Sequence, residues 1–71
     1  MISYDPLWET MRRANISTYT LQKKSISSST ISRMKKGQPV SVYTIDKLCT
    51  LLDCNISDVI EFIKDESSRP L

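Results

Sequence analysis

Four side chains in one short stretch could do chemistry together: Ser29, Ser32, Arg33 and Lys36. They carry hydroxyls, a guanidinium and an ammonium, the groups that hydrogen-bond base edges and neutralise phosphates. They lie in Ser25–Gly37, SISSSTISRMKKG, where six of thirteen residues are Ser or Thr. Such a composition reads first as a linker. Ile31 and Met34 argue against that reading. Residues three apart share one face of a helix of about 3.6 residues per turn, which puts the four polar side chains on the opposite face. A short helix with a narrow apolar seam and a polar, cationic outer face suits the major groove of DNA.

Such a helix needs a scaffold, and the rest of the chain has the signals for one. Residues 5–14 read as a first helix. Asp5 serves as N-cap, Pro6 fits the first helical position, and Leu7, Met11 and Ala14 form an apolar stripe with Trp8 beside it. Asn15 tolerates the left-handed conformation that ends helices. Ser17 caps a second helix, residues 18–24, with Leu21 as its core residue. Ser25 and Ile26 form a turn, and Ser27 caps the third helix, residues 28–36. Ile26 before the cap and Ile31 at the fourth helical position have the spacing of a hydrophobic staple, which fixes the angle at which the chain enters the helix. Gly37 stands where a left-handed terminal residue is wanted, and Pro39 prevents continuation. Ser41 caps a fourth helix, residues 42–53, with Ile45, Leu48, Cys49 and Leu52 at i, i+3, i+4 and i+7. Ser57 caps a fifth, residues 58–64, in which Ile56, Val59, Ile60 and Ile63 repeat that spacing. No segment alternates like a strand. The expectation is an all-α, compact bundle of five short helices forming a single domain over residues 1–66, with a frayed tail at 67–71.

Seventy-one residues carry ten Lys/Arg, eight Asp/Glu and no His, for a net charge of +2. The distribution says more than the total. Residues 10–45 hold seven bases and no acid, so +7, and the two flanks carry −5. A middle this one-sided, folded onto one surface, attracts a polyanion. An enzyme is not expected: His is absent, the carboxylates lie at helix ends and in the flanks, and no Gly-rich phosphate loop or paired-carboxylate motif occurs. No cofactor, metal or small-molecule ligand is expected either. Cys49 and Cys54 are not a C-x-x-C pair and have no His to complete a zinc site; Cys49 reads as a small hydrophobe on a core face. Asn15-Ile16-Ser17 and Asn55-Ile56-Ser57 match glycosylation sequons but read as caps and turns. The N-terminus shows no basic region followed by an apolar stretch, and no apolar run approaches a membrane span. A soluble cytoplasmic protein with no membrane partner is the expectation.

Helix two, a tight turn and helix three together make a helix-turn-helix. From Ile16 to Ile63 the pattern resembles the Cro/lambda-repressor-type helix-turn-helix regulators of bacteria and phages. The residues that carry the resemblance are Ile16-Ser17, Leu21, Ile26 through Met34, Lys36-Gly37, Pro39 to Ser41, Thr44 through Cys49, Leu51 through Cys54, and Ile56 through Ile60. One feature departs from the family. Its members usually have six positions from the helix-two Leu to the residue matching Ile26, with a Gly just before it. Here Leu21 to Ile26 is five, and Ser25 precedes Ile26. Either helix two ends early or the two helices meet at an altered angle.

The resemblance implies a lambda-repressor-like DNA-binding domain with the helix-turn-helix at helices 2–3. By position, Ser28, Ser29, Ser32 and Arg33 face base edges. Ser17, Thr18, Tyr19, Lys23, Ser27, Lys35, Lys36 and Ser41 face phosphates, and Arg12 and Arg13 add to the field. The implied function is sequence-specific binding of double-stranded DNA by a transcriptional regulator, a repressor acting by occupancy. A homodimer would double the base contacts, with Ile56, Val59, Phe62 and Ile63 of helix five as its contact; the alternative is that these residues fill the monomer core. Two rivals stand beside this reading. One is a protein-interaction module on the same fold. The other is RNA binding, for which Tyr19 and Tyr43 make a poor stacking platform.

Overall fold

A computed structural model describes residues 1–64. In chain order its elements are β1 (Ile2–Ser3), α1 (Asp5–Ala14), α2 (Thr18–Lys23), α3 (Ser28–Lys35), α4 (Val42–Leu52), a single 3-10 turn (Ile56–Asp58) and β2 (Glu61–Phe62). The first four helices fall where capping and periodicity place them. The tail expected to fray, residues 67–71, lies outside the described residues.

The starts of α2, α3 and α4 share one device. Ser17, Ser27 and Ser41 are in extended conformation, and their hydroxyls accept the backbone N–H of Thr20, Thr30 and Thr44 at 3.3, 3.2 and 3.1 Å. Helix α1 differs from expectation. Tyr4 is its N-cap and Asp5 its first residue, with the Leu7 N–H donating to the Tyr4 carbonyl at 2.9 Å. The Ser3 hydroxyl accepts the Asp5 N–H instead.

The four helices also end alike. Within two residues of each last turn stands a residue with positive φ: Asn15 at 57°, Ser25 at 75°, Gly37 at 73° and Asp53 at 50°. The N–H after it reaches back five residues: Ile16 to Met11, Ile26 to Leu21, Gln38 to Arg33 and Cys54 to Cys49, at 2.8–3.1 Å. The left-handed residue itself donates to Arg12, Gln22, Met34 and Thr50 respectively. Each end is therefore a Schellman turn, which satisfies the carbonyls a helix end leaves free.

The core is one cluster of Tyr4, Leu7, Met11, Leu21, Ile26, Ile31, Met34, Ile45, Leu48 and Val59, with Trp8, Ile16, Cys49 and Leu52 packed against it. Ala14, expected on the core stripe, is exposed at the end of α1.

The expected fifth helix is absent, and so the bundle has four helices. Residues 58–64 instead form the end of the 3-10 turn and strand β2, and Asn55, not Ser57, stands at the N-cap position. Its N–H donates to the Asp58 carboxylate at 3.1 Å. Strand β2 pairs antiparallel with β1, Ile2 opposite Phe62 and Ser3 opposite Glu61. The Met1 ammonium donates to the Ile63 carbonyl, and the Ile63 N–H donates to Met1, both at 2.7 Å. A helix this short is marginal in water because nucleation is costly. The N-terminal strand gives the same backbone groups long-range partners instead. Thr10 of α1 donates to the Asp58 carbonyl at 2.7 Å and fixes the turn to the bundle.

The four left-handed residues make opposite predictions at two positions. A Cβ added at Gly37 would meet nothing within 4 Å, so only its backbone resists substitution. Gly37→Ala is expected to cost about 1 kcal/mol, from left-handed strain alone. Ser25→Gly is expected to leave stability unchanged or raise it by up to about 1 kcal/mol, because it relieves that strain. Urea unfolding of both variants checks the pair.

Candidate nucleic-acid interface

Helix α3 carries two buried side chains, Ile31 and Met34, and together with Ile26 these hold it to the core. Everything else on its outer side is solvent-facing: Ser28, Ser29, Ser32, Arg33, Lys35 and Lys36 are all exposed. The seam and face expected from the spacing are thus present. Some of the hydroxyls are already engaged. The Ser27 hydroxyl lies 3.2 Å from that of Ser29 and 2.8 Å from that of Thr30, in addition to its bond with the Thr30 N–H. Ser29 therefore spends part of its hydrogen-bonding capacity within the helix start.

The threonines in this pattern were missed as signals. Ser-x-x-Thr occurs at Ser17–Thr20, Ser27–Thr30 and Ser41–Thr44, and each pair brings two hydroxyls within 3.3 Å. A capping box ordinarily places Glu or Gln three residues after the cap. Here a neutral hydroxyl stands in its place, and the first turns of α2, α3 and α4 contain no acid. The partial positive charge at these three helix starts is left without a carboxylate to offset it. The only first turns with an acid are those of α1, with Asp5, and the 3-10 turn, with Asp58.

The cations divide into two sets. Arg12 and Arg13 are not free: Glu9 accepts from Arg12 Nε at 3.1 Å and lies 3.6 Å from Arg13 Nε. These are the only ion pairs among the described residues. The Arg12 hydrogen bond, helped by the charges of Arg12 and Arg13, holds the Glu9 carboxyl below its ordinary range against the opposing effect of desolvation. Glu9 lies just outside the acid-free stretch, so its one carboxylate lowers the +7 of that stretch by one while engaging two of its seven cations. The remaining cations of residues 10–45 are Lys23, Lys24, Arg33, Lys35 and Lys36. Lys23 sits over the ring of Tyr19 at 4.8 Å, and both belong to the α2 positions expected to face phosphate, with half-buried Thr18 beside them.

Lys47 is a residue that sequence reasoning passed over. Its ammonium donates to the Ser25 carbonyl at 3.1 Å and lies 6.0 Å from the ring of Tyr43. It thus ties α4 to the turn between α2 and α3. Tyr4 was missed as well. It is buried, and its hydroxyl donates to the Gln38 carbonyl at 2.7 Å. The segment after α3 is therefore clamped on both sides, since the Gln38 N–H donates to Arg33. No periodicity announces either bond.

Two short helices joined by a tight left-handed turn, the second exposing a cationic and hydroxyl face, make a helix-turn-helix. The chain belongs to the Cro/C1-type HTH DNA-binding domain family, which matches residues 6–65. Among solved structures it is similar to the crystal structure, form II, of the transcriptional regulator VanUg. The TM-score is 0.83 at 26% identity, over 90% of this chain and 87% of that one. Comparison with curated proteins gives no match. In the short turn before α3, helix α2 ends at Lys23 and Ser25 takes the left-handed conformation.

The Glu9 cluster gives a pH prediction. A carboxyl held low in the folded state contributes stability above its unfolded pKa and loses it as pH falls through the folded value, so the window lies at and below the ordinary carboxylate range. A carbon-detected titration is expected to place the Glu9 midpoint below that of an unperturbed Glu. Arg12→Ala, which removes the leading cause, is expected to move it back up.

Proposed function

We propose that this protein is a sequence-specific double-stranded-DNA-binding transcriptional regulator, a repressor that acts by occupying its operator with α3 in the major groove. The observation that carries the reading is electrostatic. Three neutrally capped helix starts and the exposed face of α3 belong to a stretch without a single acid. Membership of a DNA-binding family and likeness to a transcriptional regulator support it.

Within this reading, Arg33 reads a guanine, while Ser28, Ser29 and Ser32 contribute weaker discrimination, because a hydroxyl can donate or accept. Ser17, Thr18, Tyr19, Lys23, Ser27, Lys35, Lys36 and Ser41 position the domain on phosphates. The functional unit is the single domain of residues 1–66. No helix among the described residues is long and apolar enough to cross a membrane.

A unit this small makes few base contacts, and two copies on half-sites about 34 Å apart would double them. The contact surface we propose differs from the helix face first expected. Val59 is 0% exposed and belongs to the monomer core, so it leaves the interface. Ile56, Phe62 and Ile63 remain exposed, and Phe62 pairs across the sheet with exposed Ile2. Phe62→Asp is expected to shift the protein to monomer in sedimentation and to weaken operator binding without unfolding it. A variant that still sediments as a dimer removes Phe62 from the interface.

Selection from a random duplex library tests the main reading, and a two-fold symmetric consensus is the expected result. No binding to duplex DNA at low salt would instead favour a protein-interaction module. On the selected site, Arg33→Ala is expected to cost about 1–3 kcal/mol and flatten preference between sites. Lys36→Ala is expected to weaken all sites alike and lower the salt slope by about one unit. Equal losses on selected and random duplex for Arg33→Ala would remove it from base reading.

A further inference from the structure

A Schellman turn brings together the side chains at the two ends of its six-residue closure. In α1 those are Met11 and Ile16, and in α2 Leu21 and Ile26, all of them in or against the core. In α4 the same two positions are Cys49 and Cys54. The Cys54 N–H donates to the Cys49 carbonyl at 3.1 Å, and the Asp53 N–H donates to Thr50 at 3.4 Å. Both cysteines are free thiols, and both are half-buried, so neither is sealed from solvent. Cys54 lines a shallow depression with Thr10, Arg13 and Asp58, and no residue of α3 lines it. Neither thiol caps a helix or serves the DNA face.

We propose that Cys49 and Cys54 are a paired dithiol, which a small-molecule disulfide oxidises to an intramolecular disulfide across the end of α4. Five residues apart in sequence, the two reach each other because Asp53 turns the chain through a left-handed φ of 50°. Burial first, and then its neighbours Cys49, Asp58 and Asp53, holds the Cys54 thiol above its usual range. Cys54 is therefore the thiol that reacts second. Cys49 gives up its proton and attacks one sulfur of the small disulfide; that S–S bond breaks, and one small thiol leaves. Cys54 then gives up its proton and attacks the Cys49 sulfur of the mixed disulfide, and the second small thiol leaves. Two cysteine thiols are oxidised by two electrons, and one small disulfide is reduced to two thiols, which take the two protons.

The test uses the full chain and oxidised glutathione at neutral pH, with remaining thiols alkylated under denaturing conditions. The expected product is a monomer lighter by two hydrogens that takes up no alkylating agent. Trypsin cuts after Lys47 and Lys64, so both cysteines fall on the single peptide Leu48–Lys64. That peptide is expected to carry the bond internally. Cys54→Ser is expected to stop at one glutathione on Cys49. Cys49→Ser is expected to stop at one glutathione on Cys54. The ratio of closed to mixed-disulfide chain is expected to fall about tenfold in denaturing urea, where the turn no longer sets the effective concentration. Full alkylation of the native chain, pairs of peptides joined between chains, two glutathiones on one chain, or an equal ratio with and without urea would each overturn the proposal.

Discussion

The whole domain turns on how its helices stop. With helices of six to eleven residues and connections of a few, the chain cannot spend residues on open loops. Each Schellman turn closes a helix, satisfies its last carbonyls and redirects the chain within about three residues. It also places a side chain just past the helix back against the last turn. In α1 and α2 that side chain is Ile16 or Ile26, and each joins the core before the next helix begins. The connection between α2 and α3 is therefore a packed element, and Ile26 serves twice. It closes α2 on Leu21 and stands one residue before the Ser27 cap, where it staples α3 through Ile31. Helix α3 takes its entry from this buried isoleucine and is held to the core by its own Ile31 and Met34.

At the end of α3 the same turn has a different occupant pair, Arg33 and Gln38. Both are exposed. An apolar pair there would pull the end of the helix into the core and bury the guanidinium's surroundings. The polar pair leaves Arg33 facing outward, while Tyr4 holds the Gln38 carbonyl from beneath. Electrostatics follow the same division. Glutamate in the capping position would stabilise each of α2, α3 and α4 by up to about 1 kcal/mol through the helix dipole. The same carboxylate would repel a phosphate at that helix start. Threonine supplies a hydroxyl partner to the serine cap and no charge. The missing acids of residues 10–45 are thus accounted for, at three positions, by a choice of cap.

Much of this was legible in the sequence, for local reasons. Helices α1 to α4, the three serine caps, the staple and the seam of Ile31 and Met34 all rest on interactions within about five residues, and patterns of residue type report these directly. What failed was non-local. Ile56, Val59, Ile60 and Ile63 have helical spacing, yet only Val59 is fully buried, and Ile63 is committed through its backbone to Met1 at the other end of the chain. A two-residue strand leaves no periodic trace, so the pairing that replaces the fifth helix is invisible without its partner. The Arg12 and Arg13 pairs were hidden differently. Counting charge by stretch placed Glu9 on the wrong side of a boundary, although it lies one helical turn from both.

The shortened turn shows how a local departure is absorbed by a distant residue. A serine at φ 75° costs on the order of 1 kcal/mol against glycine. The gain is a side chain and a fixed carbonyl at the point where α2 hands over to α3. Lys47 donates to that carbonyl from α4, and its stem stays half-buried beside the turn. An exposed hydrogen bond of this kind contributes little stability on its own. Its effect is on geometry, since it joins the fourth helix to the angle between the second and third. Lys47, two residues past the acid-free stretch, thereby has its ammonium engaged within the fold. A basic residue next to a basic surface belongs to the scaffold here, and only its partner atom distinguishes it from a phosphate contact.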